Sequence, residues 1–195
     1  MEVIKMAIRY FMGLNVSEFK KYIKAAKKNN TKKCCMWSEQ GANSYFCDGY
    51  MIVRFAGVSL ARIASSFGLA YDDLPNEEKP AQDWEKIFNS FNPLEYNPAQ
   101  VSKWSYEGKR NGTVGYCRLI VNNSSYCLMD ENKIAPFQGL AVYMKNELGG
   151  VMFRWGFDDV MTAFVLPVRP GKDLLPVYKA IQEHTMKEVE ELKNA

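Results

Sequence analysis

The chain has 195 residues, 47% hydrophobic and 24% charged, with a formal net charge of +3 and five cysteines. These are the proportions of an ordinary soluble globular protein, long enough to bury most of its apolar surface without disulfides or metals. No run approaches the roughly 18–20 apolar residues of a membrane span, and the start, MEVIKMAIRYFMGLNVSEF, lacks the long uninterrupted apolar core of a signal peptide.

The charge is unevenly placed. Residues 1–60 carry ten Lys/Arg against four Asp/Glu, residues 61–130 seven against nine, and residues 131–195 eight against nine. The positive field therefore belongs to the N-terminal third. There, Val3 to Phe11 reads as a strand and Ser17 as a helix N-cap. In SEFKKYIKAAKKNN, Phe19, Tyr22, Ile23 and Ala26 fall on one helical face, and Asn29-Asn30 stops the helix. KCCMWSEQ and SYFCDGYMIVRF follow as strands, with Asp48-Gly49 expected as the centre of a type I′ turn. VSLARIASSFGL reads as a short helix.

Residues 71–100 hold four prolines and seven acids and read as a connecting region, with a helical piece around Trp84 to Phe91. TVGYCRLIV and SYCLMDENKI flank NNS, a hairpin signal. In APFQGLAVYMKNELGG, Pro136 suits a first helical turn and Gly149 a C-cap, with Phe137, Leu140, Ala141, Met144 and Leu148 along one face. VMFRWGF and MTAFVLPVR read as strands joined at Asp158-Asp159, and an amphipathic helix with Tyr178, Ile181, Thr185, Val189 and Leu192 on one side ends the chain. The expected class is α+β, a mostly antiparallel sheet backed by amphipathic helices. Helix followed by strands occurs early and late, as in two pseudo-symmetric halves. Residues 1–170 form the expected single domain, with a variable connection near 71–100, and 171–195 a helical extension.

Opposite the apolar stripe of the first helix lie Lys20, Lys24, Lys27 and Lys28, flanked by Lys21 and followed by Lys32 and Lys33. Such a face suits the phosphate backbone of nucleic acid, where each neutralised phosphate releases counterions; from the residues alone, a solvated surface that keeps the protein soluble is the simpler reading. Lysines without base-reading neighbours would position nucleic acid rather than read its sequence. SKWSYEGKRNGTVGY mixes aromatic and basic residues and reads either as a loop stacking on single-stranded bases or as one covering a sheet edge.

Catalytic patterns are sparse. His184, the only histidine, sits in the charged C-terminal helix, which disfavours Ser-His-Asp and Cys-His systems. The neighbours in Asp72-Asp73 and Asp158-Asp159 point apart, against a shared-proton dyad. Asp83 with Glu107-x-Lys109 loosely fits a metal-dependent nuclease, carboxylates holding Mg²⁺ and the lysine steadying a water. Cys34, Cys35, Cys47, Cys117 and Cys127 include no Cys-x-x-Cys pair, so they read as free thiols of a reducing cytoplasm, although Cys117 and Cys127 could meet across a hairpin. The Asn-x-Ser/Thr triplets at Asn29, Asn111, Asn122 and Asn123 are accordingly not expected to be glycosylated.

The late stretch LGGVMFRWGFDDVMTAFVLPVRP resembles the closing hairpin of a bacterial DNA sliding clamp, in which a strand, an acidic turn and a final strand end in a Met-Pro-Met/Val-Arg-type sequence. Leu166-Pro167-Val168-Arg169 matches that ending, with Leu in the first place. Asp48 and Gly49 match the family's Asp-Gly-x-Arg-Leu stretch, with Met51 where Arg is usual and Ile52 where Leu is usual. The resemblance covers residues 3–56 and 134–169. It implies helices facing duplex DNA and an apolar pocket for partner peptides at Leu166, Pro167, Val168 and Arg169. Read from the residues alone, the same segment is a core strand with Phe164, Leu166 and Val168 inward.

The combined expectation is a non-catalytic binding protein without cofactor or metal. Its expected partners are duplex DNA at Lys20–Lys33 and a protein, or a second copy of the chain, elsewhere. A self-association module using the Tyr178–Leu192 stripe and a small metal nuclease are the alternatives.

Overall fold

Asn15, not Ser17, starts the first helix: its Oδ1 accepts from the Glu18 N–H at 3.2 Å, and the helix α1 runs Val16–Lys28. Glu18 in its first turn and Lys27 and Lys28 in its last complement the helix dipole. The computed structural model describes residues 10–28, 34–38, 43–75, 95–110, 113–122, 126–145, 151–154 and 161–168, with Lys187, Glu190 and Glu191. Short strands β1 (Tyr10–Phe11) and β2 (Leu14–Asn15) pair just before α1; the rest of the expected first strand lies outside the described residues.

Strands β3 (Cys35–Ser38), β4 (Asn43–Cys47) and β5 (Met51–Ala56) form an antiparallel meander. The turn between β4 and β5 is not the expected type I′. Its central residues are Gly49 and Tyr50, only Gly49 has positive φ (85°), and Asp48 N–H donates to Met51 O at 3.2 Å. Positive φ at the first central position alone is the pattern of a II′ turn, which needs glycine there. Helix α2 (Leu60–Phe67) follows, capped by Ser59 and closed by Gly68 in the left-handed conformation. The Gly68 and Leu69 N–H groups reach back to Ser65 O and Ala64 O, a Schellman ending.

After a 3-10 turn at Tyr71–Asp73, the chain enters β6 (Asn97–Arg110), β7 (Thr113–Val121) and β8 (Tyr126–Asp130). The stretch expected to be an aromatic and basic loop is thus the long strand β6 and the start of β7, with Arg110 paired to Thr113. The helix expected from Pro136 is also replaced over its described residues, which end at Lys145. A short helix α3 (Glu131–Ile134) and a 3-10 turn (Ala135–Phe137) lead into strand β9 (Ala141–Met144). Gly139 at φ 99° breaks the helical run, and from there Val142 and Met144 are buried while Ala141 is exposed, the two-residue period of a strand. Strands β10 (Val151–Arg154) and β11 (Met161–Val165) pair as the sequence implies.

The architecture is α+β, with the strands in one antiparallel nine-stranded order, β3-β4-β5-β11-β10-β9-β6-β7-β8. Outward from the β5–β11 pair, β5-β4-β3 on one side and β11-β10-β9 on the other are three-strand meanders in reverse chain order, and β6-β7-β8 extend the second side in forward order. One follows α1; the other follows α3 and its 3-10 turn, and α1 packs on that turn. The far strand β8 comes back to the chain beyond β11, where Val168 N–H donates to Leu128 O at 2.7 Å.

Between helices and sheet lies the main core, including Phe19, Ile23, Phe46, Phe55, Phe67, Ile120, Phe137, Phe153 and Val165. Phe19 is its aromatic hub, with ring centroids 5.4, 5.8 and 5.0 Å from Phe46, Phe55 and Phe67. The other sheet face is apolar too: Cys35, Trp37, Tyr45, Cys47 and Ile52 are buried there, with Tyr96, Tyr143 and Phe164 against them. The inward residues of β11 are Ala163 and Val165. The expected inward set of Phe164, Leu166 and Val168 is off by one residue, and Leu166 is exposed. A one-residue offset moves every side chain to the opposite face.

Candidate functional site

The apolar stripe of α1 buries Phe19 and Ile23 completely, and the lysines opposite it divide into two groups. Lys20 Nζ donates to Gly68 O at 2.6 Å, an unsatisfied carbonyl at the end of α2. Lys27 donates to the Asp72 carbonyl. These two cations hold α2 and the following turn against α1. Lys21 pairs with Glu18 at 2.7 Å but is largely exposed. Lys24 and Lys28 are exposed and form no ion pair with another described residue. Lys32 and Lys33 lie outside the described residues. The α1 ammonium groups without an ion-pair partner among the described residues are therefore those of Lys24 and Lys28, and Lys21, exposed but paired to Glu18, precedes them along one edge of the helix.

The Asp-Gly of the β4–β5 turn has a role that local pattern did not reveal. Asp48 Oδ1 accepts from the N–H groups of Tyr50 (2.8 Å) and Met51 (2.7 Å), fixing the turn. Its Oδ2 accepts from the Tyr22 hydroxyl of α1 and from Lys133 Nζ of α3 at 3.1 Å. The Lys133 ammonium also lies 4.1 Å from the centre of the Tyr50 ring. One carboxylate thus ties together both helices and the turn. Burial, then the Asp48 carboxylate, push the Tyr22 phenol far above its ordinary value, so it stays a donor. Burial likewise pushes Cys34 up to about 12, with Asp48 adding to it.

Leu166–Val168 runs beside this turn. Leu166 N–H donates to Tyr50 O at 2.8 Å, and the exposed side chains of Leu166 and Tyr50 (37% and 44%) are among the few large apolar groups left at the surface. Arg169, expected at the edge of a pocket here, lies outside the described residues. A cleft of about 370 Å³ opens elsewhere, between β6, β7, α3 and β9.

Asp83, the first of the three residues fitting a nuclease, is outside the described residues, and Glu107 is an exposed strand residue of β6. Among the described residues no group of three or more His, Cys, Asp and Glu side chains could hold a metal. The five cysteines are free, and Cys117 and Cys127 are not cross-strand partners: Cys117 faces Asp130 and Cys127 faces Ile120. His184 and the Tyr178–Leu192 stripe fall outside the description, apart from Lys187, Glu190 and Glu191, which are helical and exposed. No helix among the described residues is long and apolar enough to cross a membrane.

No family model matches the sequence, and neither the curated proteins nor the solved structures yield a match.

Proposed function

We propose that the chain is a non-catalytic, clamp-like binding protein that contacts the backbone of duplex DNA through α1. The observation that carries this reading is the state of the α1 lysines. The apolar side of α1 is fully used by the core, and Lys20 and Lys27 are used by α2 and its turn. Lys24 and Lys28 are exposed cations without an ion-pair partner among the described residues, and Lys21 stands beside them. Long-stemmed ammonium groups on a rigid helix suit phosphates, which attract charge without demanding a fixed planar geometry. The β3–β5 and β9–β11 meanders that meet at the β5–β11 pair, each with a helix ahead of it, support the resemblance to a sliding clamp. The free thiols fit a reducing cytoplasm.

The test is duplex binding by the chain carrying Lys21→Glu, Lys24→Glu and Lys28→Glu. These positions avoid the two lysines that hold α2, so the fold is retained and DNA binding is lost. Equal binding by variant and wild type contradicts the reading.

A second contact surface is favoured by the exposed Leu166 and Tyr50, which lie side by side through a backbone hydrogen bond. The partner it fits is a protein segment with an apolar side chain, in keeping with the resemblance. Leu166→Asp then removes a protein partner without altering DNA affinity.

A further inference from the structure

Strand β3 carries Cys35 and strand β4 carries Cys47, and the two face each other directly in the antiparallel register. Opposite residues of such a pair have Cα atoms roughly 4.5–5.5 Å apart, inside the roughly 4.4–6.8 Å that a disulfide spans. Both side chains are buried on the second apolar face of the sheet, with Trp37, Tyr45 and Ile52. Their sulfurs hydrogen-bond to each other, and Gly49 N–H donates to Cys47 Sγ at 3.3 Å. The other cysteines are placed differently. Cys34 belongs to the main core on the opposite face, Cys117 faces Asp130, and Cys127 faces Ile120.

We propose that Cys35 and Cys47 are a dithiol site that small disulfides oxidise, closing a reversible covalent bond between β3 and β4. The Cys47 thiol holds Cys35 below its ordinary value, while Cys35 and then burial push Cys47 far above, so Cys35 is the first thiolate. It attacks one sulfur of the small disulfide, forming a mixed disulfide and releasing one small thiolate. Cys47 then gives its proton to solvent and attacks the Cys35 sulfur, expelling the second thiolate. Two protein thiols are oxidised, and one disulfide is reduced to two thiols. Access comes through β3, which among the described residues pairs with β4 alone. Its Trp37 Nε1–H is buried without an acceptor among the described residues, a cost that lifting the strand partly relieves. The bond fastens this edge strand beside the turn of the Asp48 network, since Asp48 follows Cys47 directly.

The experiment equilibrates the full chain in buffers of reduced and oxidised glutathione, folded and in urea. Equilibrium is approached both from the reduced chain and from chain refolded in the same buffer, so that slow thiol access does not decide the result. After blocking with N-ethylmaleimide, cleavage after Glu39 puts Cys35 and Cys47 on separate fragments for mass spectrometry. The folded chain loses two hydrogens and links these fragments within one molecule, at a glutathione ratio at least tenfold less oxidising than the unfolded chain needs. Cys34→Ala leaves the link in place, and Cys35→Ala or Cys47→Ala abolishes it. The oxidised wild type melts roughly 5–10 °C above the reduced form, and dithiothreitol reverses the shift. A link through Cys34, a disulfide-bonded dimer, a link without a rise in melting temperature, or a folded chain that needs as much oxidant as the unfolded one overturns the proposal.

Discussion

Lys133 and Asp48, 85 residues apart in sequence, meet at 3.1 Å with side chains only 18% and 9% exposed. The pair joins the turn of the first strand meander to the helix that introduces the second. Because the carboxylate also receives Tyr22 and two backbone N–H groups, its removal leaves several donors, most of them part-buried, without this partner. Asp48→Ala should lower stability by about 3–4 kcal/mol. Asp48→Asn keeps the oxygen that fixes the turn and should cost about half as much. Urea midpoints of the three proteins check the order; an Asp48→Ala loss below about 1 kcal/mol would show that the network contributes no more than an exposed ion pair.

Phe19 is the second prediction. It is fully buried and touches three other aromatic rings. Phe19→Ala should cost about 3–5 kcal/mol through lost burial and the cavity left behind, whereas Phe19→Leu should cost less than half of that. Chemical denaturation distinguishes the two.

Alkaline pH supplies a third. Burial pushes Cys127 from its ordinary 9.0 up to about 12, and Cys117 to about 11. A raised folded value means that the native state holds the proton more tightly than the unfolded chain. The corresponding stability is fully present below about pH 9 and is lost as pH rises through the folded values. Stability should therefore fall from pH 9 toward 12, and Cys127→Ala should make the fall shallower. A Cys127→Ala chain with the wild-type slope would show that this thiol does not contribute.

What was legible in the sequence followed local periodicity. Phe19, Tyr22 and Ile23 announced α1, and Ser59 with Gly68 bracket α2 just as cap chemistry requires. The β7–β8 and β10–β11 hairpins were equally plain. Two misread stretches shared a cause: mixed patterns admit both periods. Leu140, Ala141 and Met144 fit a helix spaced three and four apart, but Leu140, Val142 and Met144 fit a strand, and Gly139 was the residue that favoured the strand. In β6 the aromatics Trp104 and Tyr106 are two residues apart, as in a strand, and Asn111-Gly112, the strongest short hairpin signal, separates β6 from β7. The lysine face was visible, but its division was not. Which ammonium groups stay open depends on Gly68 and Asp72, 48 and 45 residues away. The Asp48–Lys133 tie and the cleft are likewise products of long-range folding, without a local signature.

The contact between Lys20 and Gly68 yields a fourth expectation. Lys20→Met keeps the stem and removes the donor to the α2 carbonyl, and should cost about 1 kcal/mol. It should leave DNA affinity within about twofold, since this lysine is engaged inside the fold. A large loss of affinity with unchanged stability would return Lys20 to the DNA-facing group.

The most direct test of the DNA-binding reading is the salt dependence of binding to a mixed-sequence duplex. Three phosphate contacts from Lys21, Lys24 and Lys28 predict a slope of log Kobs against log salt of about −3, because each neutralised phosphate contributes about −0.9. The triple Lys→Gln variant should give a slope near zero with an unchanged fold. A wild type with no affinity at low salt, or a variant retaining the full slope, would contradict the assignment of α1 to DNA.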